Sequence, residues 1–189
     1  MKTKFIEQEM AYDGTQLRSL FAYLNYELLG DSAVAWMGPC HIDFEHMVDG
    51  EDLLQKAQIC GDNMLHFIVE KFDVNLFSAV AIQRLLASIV IDGLKQLSPE
   101  KDKVNGLVRD GDDIFLQKQK LSISIATSSP TSQLIHFAVN ITNVGTPVET
   151  LCLQELSVDP KQLAHWVLDR LAQEVHTITE ATQKVKWVK

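Results

Sequence analysis

The spacing of apolar residues divides the chain into segments of helical and of strand period. Thr3 to Glu9 can form a short strand, followed by the Asp-Gly turn signal of "YDGTQLR". "TQLRSLFAYLNYELLG" sets Leu17, Leu20, Phe21, Leu24 and Leu28 at helical spacing. This predicts a helix capped by Thr15 or Asp13 and ended by Gly30. "SAVAWMG" reads as a buried strand stopped by Gly38 and Pro39, with a short strand at His41 to Glu45 and a helical turn at Glu51 to Ala57 after it. "MLHFIVEKF" is a further strand. "NLFSAVAIQRLLASIVIDGLKQL" is apolar nearly all round, which predicts a central helix buried on most sides. At 1.5 Å per residue that helix spans roughly 33 Å.

"KVNGLVR" and "DIFLQ" then read as strands. "KLSISIATS" alternates Leu121, Ile123 and Ile125 with Ser122, Ser124 and Ala126, a period of two. "QLIHFAVNIT" continues the sheet. "VDPKQLAHWVLDRLAQEVHTI" is a second helix, with Asp159 as cap and Pro160 in its first turn. The terminal "KVKWVK" is short enough for one more strand. The mixed order predicts a single α+β domain over residues 1–189: a mixed, mostly antiparallel sheet backed by helices.

Composition narrows the classes. At 189 residues the chain can bury a real core. No segment reaches the ~18 unbroken apolar residues of a membrane span; Leu76 to Leu97 is interrupted by Gln83, Arg84 and Asp92. "MKTKFIEQEM" has no apolar signal-peptide core, so a cytoplasmic protein without membrane partners is expected. The net charge of -8 argues against a nucleic-acid partner, which would need a basic face. A local basic pocket for a small anionic ligand stays open, as does a homodimer. Cys40, Cys60 and Cys152 form neither a disulfide framework nor a zinc pattern, and no metal site is expected from them. Phosphate-loop, Rossmann and His-Glu-x-x-His motifs are absent from the sequence.

Candidate chemistry gathers in "RDGDDIFLQKQKLSISIATSSP". Lys120, directly before an apolar strand, can turn its ammonium into a cleft and pair with a carboxylate or phosphate. The bland alternative is a solvated lysine that guards a strand edge. Asp112 and Asp113 either cap the turn through backbone N–H groups or favour a divalent cation such as Mg²⁺ with a nucleotide. Arg109 is a ligand contact or an ion-pair partner of its acidic neighbours. Arg18 would sit in the first turn of the first predicted helix, where a cation opposes the dipole, so it calls for a carboxylate or a ligand. Cys40 is the candidate nucleophile. It could work with His41 only in a loop, because neighbours on a strand point to opposite faces. Cys60 has no stronger claim, and a satisfied, half-buried His136 is the default.

This stretch resembles part of the catalytic domain of biotin protein ligases and lipoate ligases. Arg109 falls at that family's basic position, and Asp112-Asp113 falls at its Asn-Asp turn. Lys120-Leu121 matches the lysine whose amine holds the acyl carboxylate and adenylate, and Asn140-Ile141 lies near the end of the last strand. "GDNMLHFIVEKF" is similar to the family's glycine-asparagine strand start, with a long apolar helix next in both. The likeness runs in order from Cys60 to Thr142. It departs where the family has a glycine- and arginine-rich adenylation loop, since "DFEHMVDGEDLLQKAQICGD" stands there. Ser122 and Ile123 also replace an alanine-glycine pair. Over nearly its full length the chain is identified as a member of a small prokaryotic family, domain of unknown function 366, through "YDGTQLRSLFAY", "GDSAVAWMGPC", "RDGDDIFLQKQKLSISIATSSP" and "KVKWV".

The resemblance implies a small-molecule binding protein on a ligase-like scaffold, without full ligase activity. A ligase-like or acyltransferase-like enzyme acting on a carboxylic acid or acyl-adenylate is the alternative, and a structural or interaction protein is the third class.

Overall fold

The computed structural model describes residues 1–56 and 58–188. A five-stranded sheet runs in the order β1 (Lys2–Phe5), β2 (Ser32–Ile42), β3 (Ile59–Lys71), β8 (Gln133–Asn140), β7 (Ser122–Ser128). β1 pairs parallel with β2, and the other three pairings are antiparallel. A smaller sheet of β4 (Leu107–Asp110), β5 (Asp113–Leu116) and β6 (Gln119–Lys120) packs against β7 and the long central helix. The fold is α+β, with antiparallel pairing dominant.

Helices α3 (Leu76–Leu97) and α5 (Pro160–Gln183) pack together on one face of the large sheet. Asn75 caps α3 by accepting from the Ser78 N–H, and Asp159 caps α5 by accepting from Gln162. By length and composition α3 could cross a membrane. Here it is a core helix, with Leu86, Val90 and Leu94 fully buried. Gly93 lets α5 close on it: a Cβ there would meet Trp166 Cε3 at 2.8 Å.

The central strands are apolar on both faces. Ala33, Ala35, Leu65, Phe67, Phe137 and Val139 face the helices. Val34, Trp36, Met64, Ile68 and Ala138 face the other way, under Tyr12, Phe21 and Ala22. Burial on both sides is what makes these strands read as continuous greasy runs rather than alternating ones.

Several elements depart from the pattern reading. The first helix, α1, is only Phe21–Tyr26, because Leu20 before it is left-handed at φ 61°. Arg18 therefore lies in an exposed turn, not in a helical first turn. Asp13 caps that turn instead, accepting from the Thr15 N–H and hydroxyl. β2 does not stop at Gly38-Pro39. It passes through them with an irregularity between Gly38 and Cys40 and absorbs the separate strand expected at His41. A 3-10 turn follows at Phe44–His46, then α2 (Gly50–Gln55); Ala57, expected at the end of that helical turn, lies outside the described residues. The "KVNGLVR" stretch is split between a short helix, α4 (Lys101–Asn105), and β4. α5 runs past Ile178 to Gln183, and residues 185–188 form no strand; Lys189 lies outside the described residues.

Candidate functional site

The face of the large sheet away from α3 and α5 is only partly covered. The segment from Ile6 to Leu28 covers β2 and β3. Over β7, β8 and the start of β3 a cavity of about 480 Å³ remains, walled by α2, by the β4–β6 sheet and by residues 146–150. That volume is within the usual range of small-molecule pockets.

Its floor follows from the register of β7. Ile123 pairs with Ala138 and Ile125 with His136, so both isoleucines point toward the cavity. Ser122 and Ser124 point the other way and are used as polar struts. The buried Ser122 hydroxyl accepts the Ile114 N–H at 3.0 Å, which welds β5 to β7. Ser124 Oγ donates to Asp112 Oδ2 at 2.5 Å, and Gln83 Nε2 of α3 donates to the same oxygen at 2.7 Å. Ile42, Ile59 and Met64 complete an apolar floor.

Lys120 stands at the rim. Its backbone is fixed from three sides. It pairs with Phe115 of β5, its carbonyl accepts the Leu151 N–H, and the buried Asn140 side chain donates to that carbonyl and to the one of Leu151, at 3.2 Å each. Its ammonium lies 2.7 Å from Asp113 Oδ2, with both side chains about a third exposed. Burial pushes the Asp113 carboxyl up, and the Lys120 ammonium pulls against that shift. An ammonium has three donors, so pairing with Asp113 leaves two for another group.

Of the residues singled out in the sequence, Lys120, Asp112 and Asp113 line the cavity together. Among the described residues, no backbone N–H of their turn donates to Asp112 or Asp113. One ties the turn to α3 and β7, and the other pairs with Lys120. Arg109 and Arg18 are exposed and outside the cavity wall; the Arg109 guanidinium donates to the Gly111 carbonyl. Cys40 is buried in β2, also outside the wall, and burial pushes its thiol up to about 12, the opposite of what a nucleophile needs. His41 next to it is exposed and lies 3.4 Å from Asp43. Cys60 does line the cavity. Among the described residues no group of three His, Cys, Asp or Glu side chains is placed to hold a metal ion.

His66 and Tyr12 escape the sequence reading, which gives His136 only as a satisfied, half-buried histidine. β3 carries Leu-His-Phe and β8 carries Ile-His-Phe, and antiparallel pairing sets Phe67 opposite Phe137. His66 and His136 then meet diagonally, Nδ1 to Nε2 at 3.1 Å, both essentially buried. Far from half-buried, His136 is 2% exposed. The Tyr12 ring stacks on His136 with centroids 3.6 Å apart, and Trp36 stacks on His66 at 5.3 Å. Burial lowers His66 to about 4, and burial together with His66 lowers His136 well below the ordinary value. Tyr12 and His136 line the inner end of the cavity. The repeated apolar-His-Phe pattern was the available signal.

Residues 1–186 match the family described as Domain of unknown function (DUF366). The chain belongs to this family. An uncharacterized protein of Methanocaldococcus jannaschii is 27% identical over 97% of this chain and 84% of its own length. A solved protein of unknown function from Pyrococcus horikoshi superposes over the whole of both chains, with TM-score 0.90 and 36% identity. Beyond the family, the fold is that of biotin and lipoate protein ligases. The Aquifex aeolicus biotin protein ligase in complex with biotin and ATP has TM-score 0.60 and 12% identity, over 95% of this chain and 72% of that one. A putative lipoate protein ligase from T. acidophilum with bound lipoic acid has TM-score 0.58 and 14% identity, over 93% of this chain and 87% of that one.

Proposed function

We propose that this DUF366 protein is a cytoplasmic binding protein for a small carboxylic acid, held with its apolar body on the Ile123–Ile125–Met64 floor and its acid group at Lys120. One observation carries the reading: among the described residues Lys120 is the one lysine or arginine in the cavity wall, its backbone is pinned by Asn140, and Asp113 takes only one of its three donors. A part-buried lysine beside an apolar floor is a fitting partner for a single carboxylate.

The surrounding charge speaks for a singly charged head. Asp49, Glu51, Asp52, Asp112 and Asp113 also line the cavity. Against one lysine they would repel a triphosphate, so the residues present do not suit a nucleotide of the kind bound by the Aquifex ligase. An acyl-adenylate step would need donors for the leaving pyrophosphate, and these walls offer carboxylates instead.

The test is a thermal-shift and calorimetry series with octanoate, lipoate, biotin and ATP on the wild type and on Lys120→Met. A ligand that binds only the folded chain raises its melting temperature. The expected result is stabilisation by at least one of the carboxylic acids, none by ATP, and loss of the acid effect in Lys120→Met. Stabilisation by ATP alone, or acid binding that survives the substitution, would refute the reading.

A further inference from the structure

The cavity has a second polar contact at its inner end. His66 Nε2 lies 3.1 Å from the Gly38 carbonyl oxygen, which can only accept, so that nitrogen carries the proton. In the neutral ring His66 Nδ1 is then bare, and the facing His136 Nε2, 3.1 Å away, must be the donor. One proton per ring leaves His136 Nδ1 as a lone pair. Among the described residues nothing donates to it, and the ring it belongs to lines the cavity. Burial keeps both rings neutral, which preserves this order of donors.

We propose that His136 Nδ1 is the hydrogen-bond acceptor that reads a hydroxyl or N–H group on the bound acid, with His66 and the Gly38 carbonyl fixing its tautomer. His136 is the binding residue, and His66 is a positioning residue. An acceptor that opens onto the cavity with no protein partner discriminates between ligands, because one that covers it without supplying the matching donor takes away its water and gives nothing back. The stacked Tyr12 ring and the Trp36 ring over His66 hold the imidazoles in plane, so the acceptor direction is set before any ligand arrives.

The fold also sets the ligand's length. Asn140, which pins the Lys120 carbonyl, stands four residues after His136 on β8. At ~3.3 Å per strand residue that is roughly 13 Å along the strand. The ligand class is therefore an extended molecule with a carboxylate at one end, an apolar middle on the isoleucines, and a donor at the far end. This rests on the proposed binding of a carboxylic acid.

Two measurements test it. Long-range proton–nitrogen spectra of histidine-labelled wild-type protein near pH 7.5 should show Nε2 protonated and Nδ1 bare in both His66 and His136. The His66→Phe variant should turn His136 into a mixture of tautomers, which a merely structural role for His66 would not do. Calorimetry then compares octanoate with 8-hydroxyoctanoate. The hydroxy acid should bind about tenfold more tightly to the wild type, and in His136→Phe the ratio of the two affinities should fall to about one. A protonated His136 Nδ1 in the wild-type spectrum, which needs no variant to fold, would overturn the inference. Equal affinity of the two acids would overturn it alone, leaving the Lys120 reading intact. Failure of both acids to bind would sink both.

Discussion

The Glu70 carboxylate receives the Leu20 backbone N–H on both oxygens at 3.0 Å, across fifty residues of chain. Ser132 donates to one of the same oxygens at 2.6 Å, and Glu70 is buried. This one side chain ties the segment before α1 and the β7–β8 turn to the end of β3. It also explains the short α1: an N–H committed to Glu70 from a left-handed residue cannot continue a helix backward.

Replacing Glu70 with Ala should therefore be costly. It leaves the part-buried Leu20 N–H without its acceptor and the Ser132 hydroxyl with only its Ser129 contact, a loss of about 2–3 kcal/mol. For a chain of this size the melting temperature should fall by roughly 4–12 °C in a calorimetric scan. A shift under one degree would show that water takes over both donors at no cost.

Lys120→Met removes the partner of Asp113, whose carboxyl burial already pushes up. A carboxyl with a raised folded-state value contributes nothing below its unfolded value, near 3.8, destabilises increasingly as pH rises from there toward the folded value, and levels off above it. The variant should match the wild type near pH 3.5 and be about 1 kcal/mol less stable at pH 7. Adding Asp113→Asn should restore most of that loss, and urea titrations of the four proteins make the cycle. No recovery in the double variant would mean that Lys120 stabilises through its stem rather than its charge.

The two buried histidines give the opposite slope on the acid side. Both folded-state values are lowered, so the unfolded chain takes up protons below about 6.5 that the native rings refuse. Stability should be flat above that pH and fall on acidification toward about 4, where His66 titrates. The slope is about 1.4 kcal/mol per pH unit for each histidine. Denaturant melts of the wild type against His136→Phe should show the slope reduced in the variant. The same slope in both would assign the acid loss to other groups.

A pyrophosphate-release assay with ATP and either biotin or lipoate should give no turnover at rates typical of ligases. Losing a single donor of transition-state charge can cost ~10²–10³ in rate, and carboxylates stand in the cavity wall where such donors would be needed. Robust turnover would make the protein an enzyme and overturn the proposal of a binding function.

The elements that could be read from sequence are those whose burial is local. α3 declares itself because it is covered on most sides, and α5 because one stripe is. Lys120 stood out because a hairpin lysine before an apolar strand is a local pattern. What stayed hidden depends on distant partners. Nothing near Leu20 announces Glu70, and nothing near Pro39 announces that β2 continues past it. The aromatic and histidine cluster at the inner end of the cavity comes from three separate segments. Arg18 rests on a helical first turn that the left-handed Leu20 does not allow, and Arg109 on its place in the ligase-like motif; the fold leaves both outside the wall.

The serines of β7 act as a ratchet pawl. Ser122 and Ser124 can satisfy Ile114 and Asp112 only when they face α3, which obliges Ile123 and Ile125 to face the opening. Slipping the strand by one residue would exchange the two faces. It would pave the cavity with hydroxyls and press isoleucines against a carboxylate and an orphaned amide. The greasiness of the floor is thus written into two small polar residues whose hydroxyls are tied to Ile114 and Asp112, and a change at either would alter what the chamber admits.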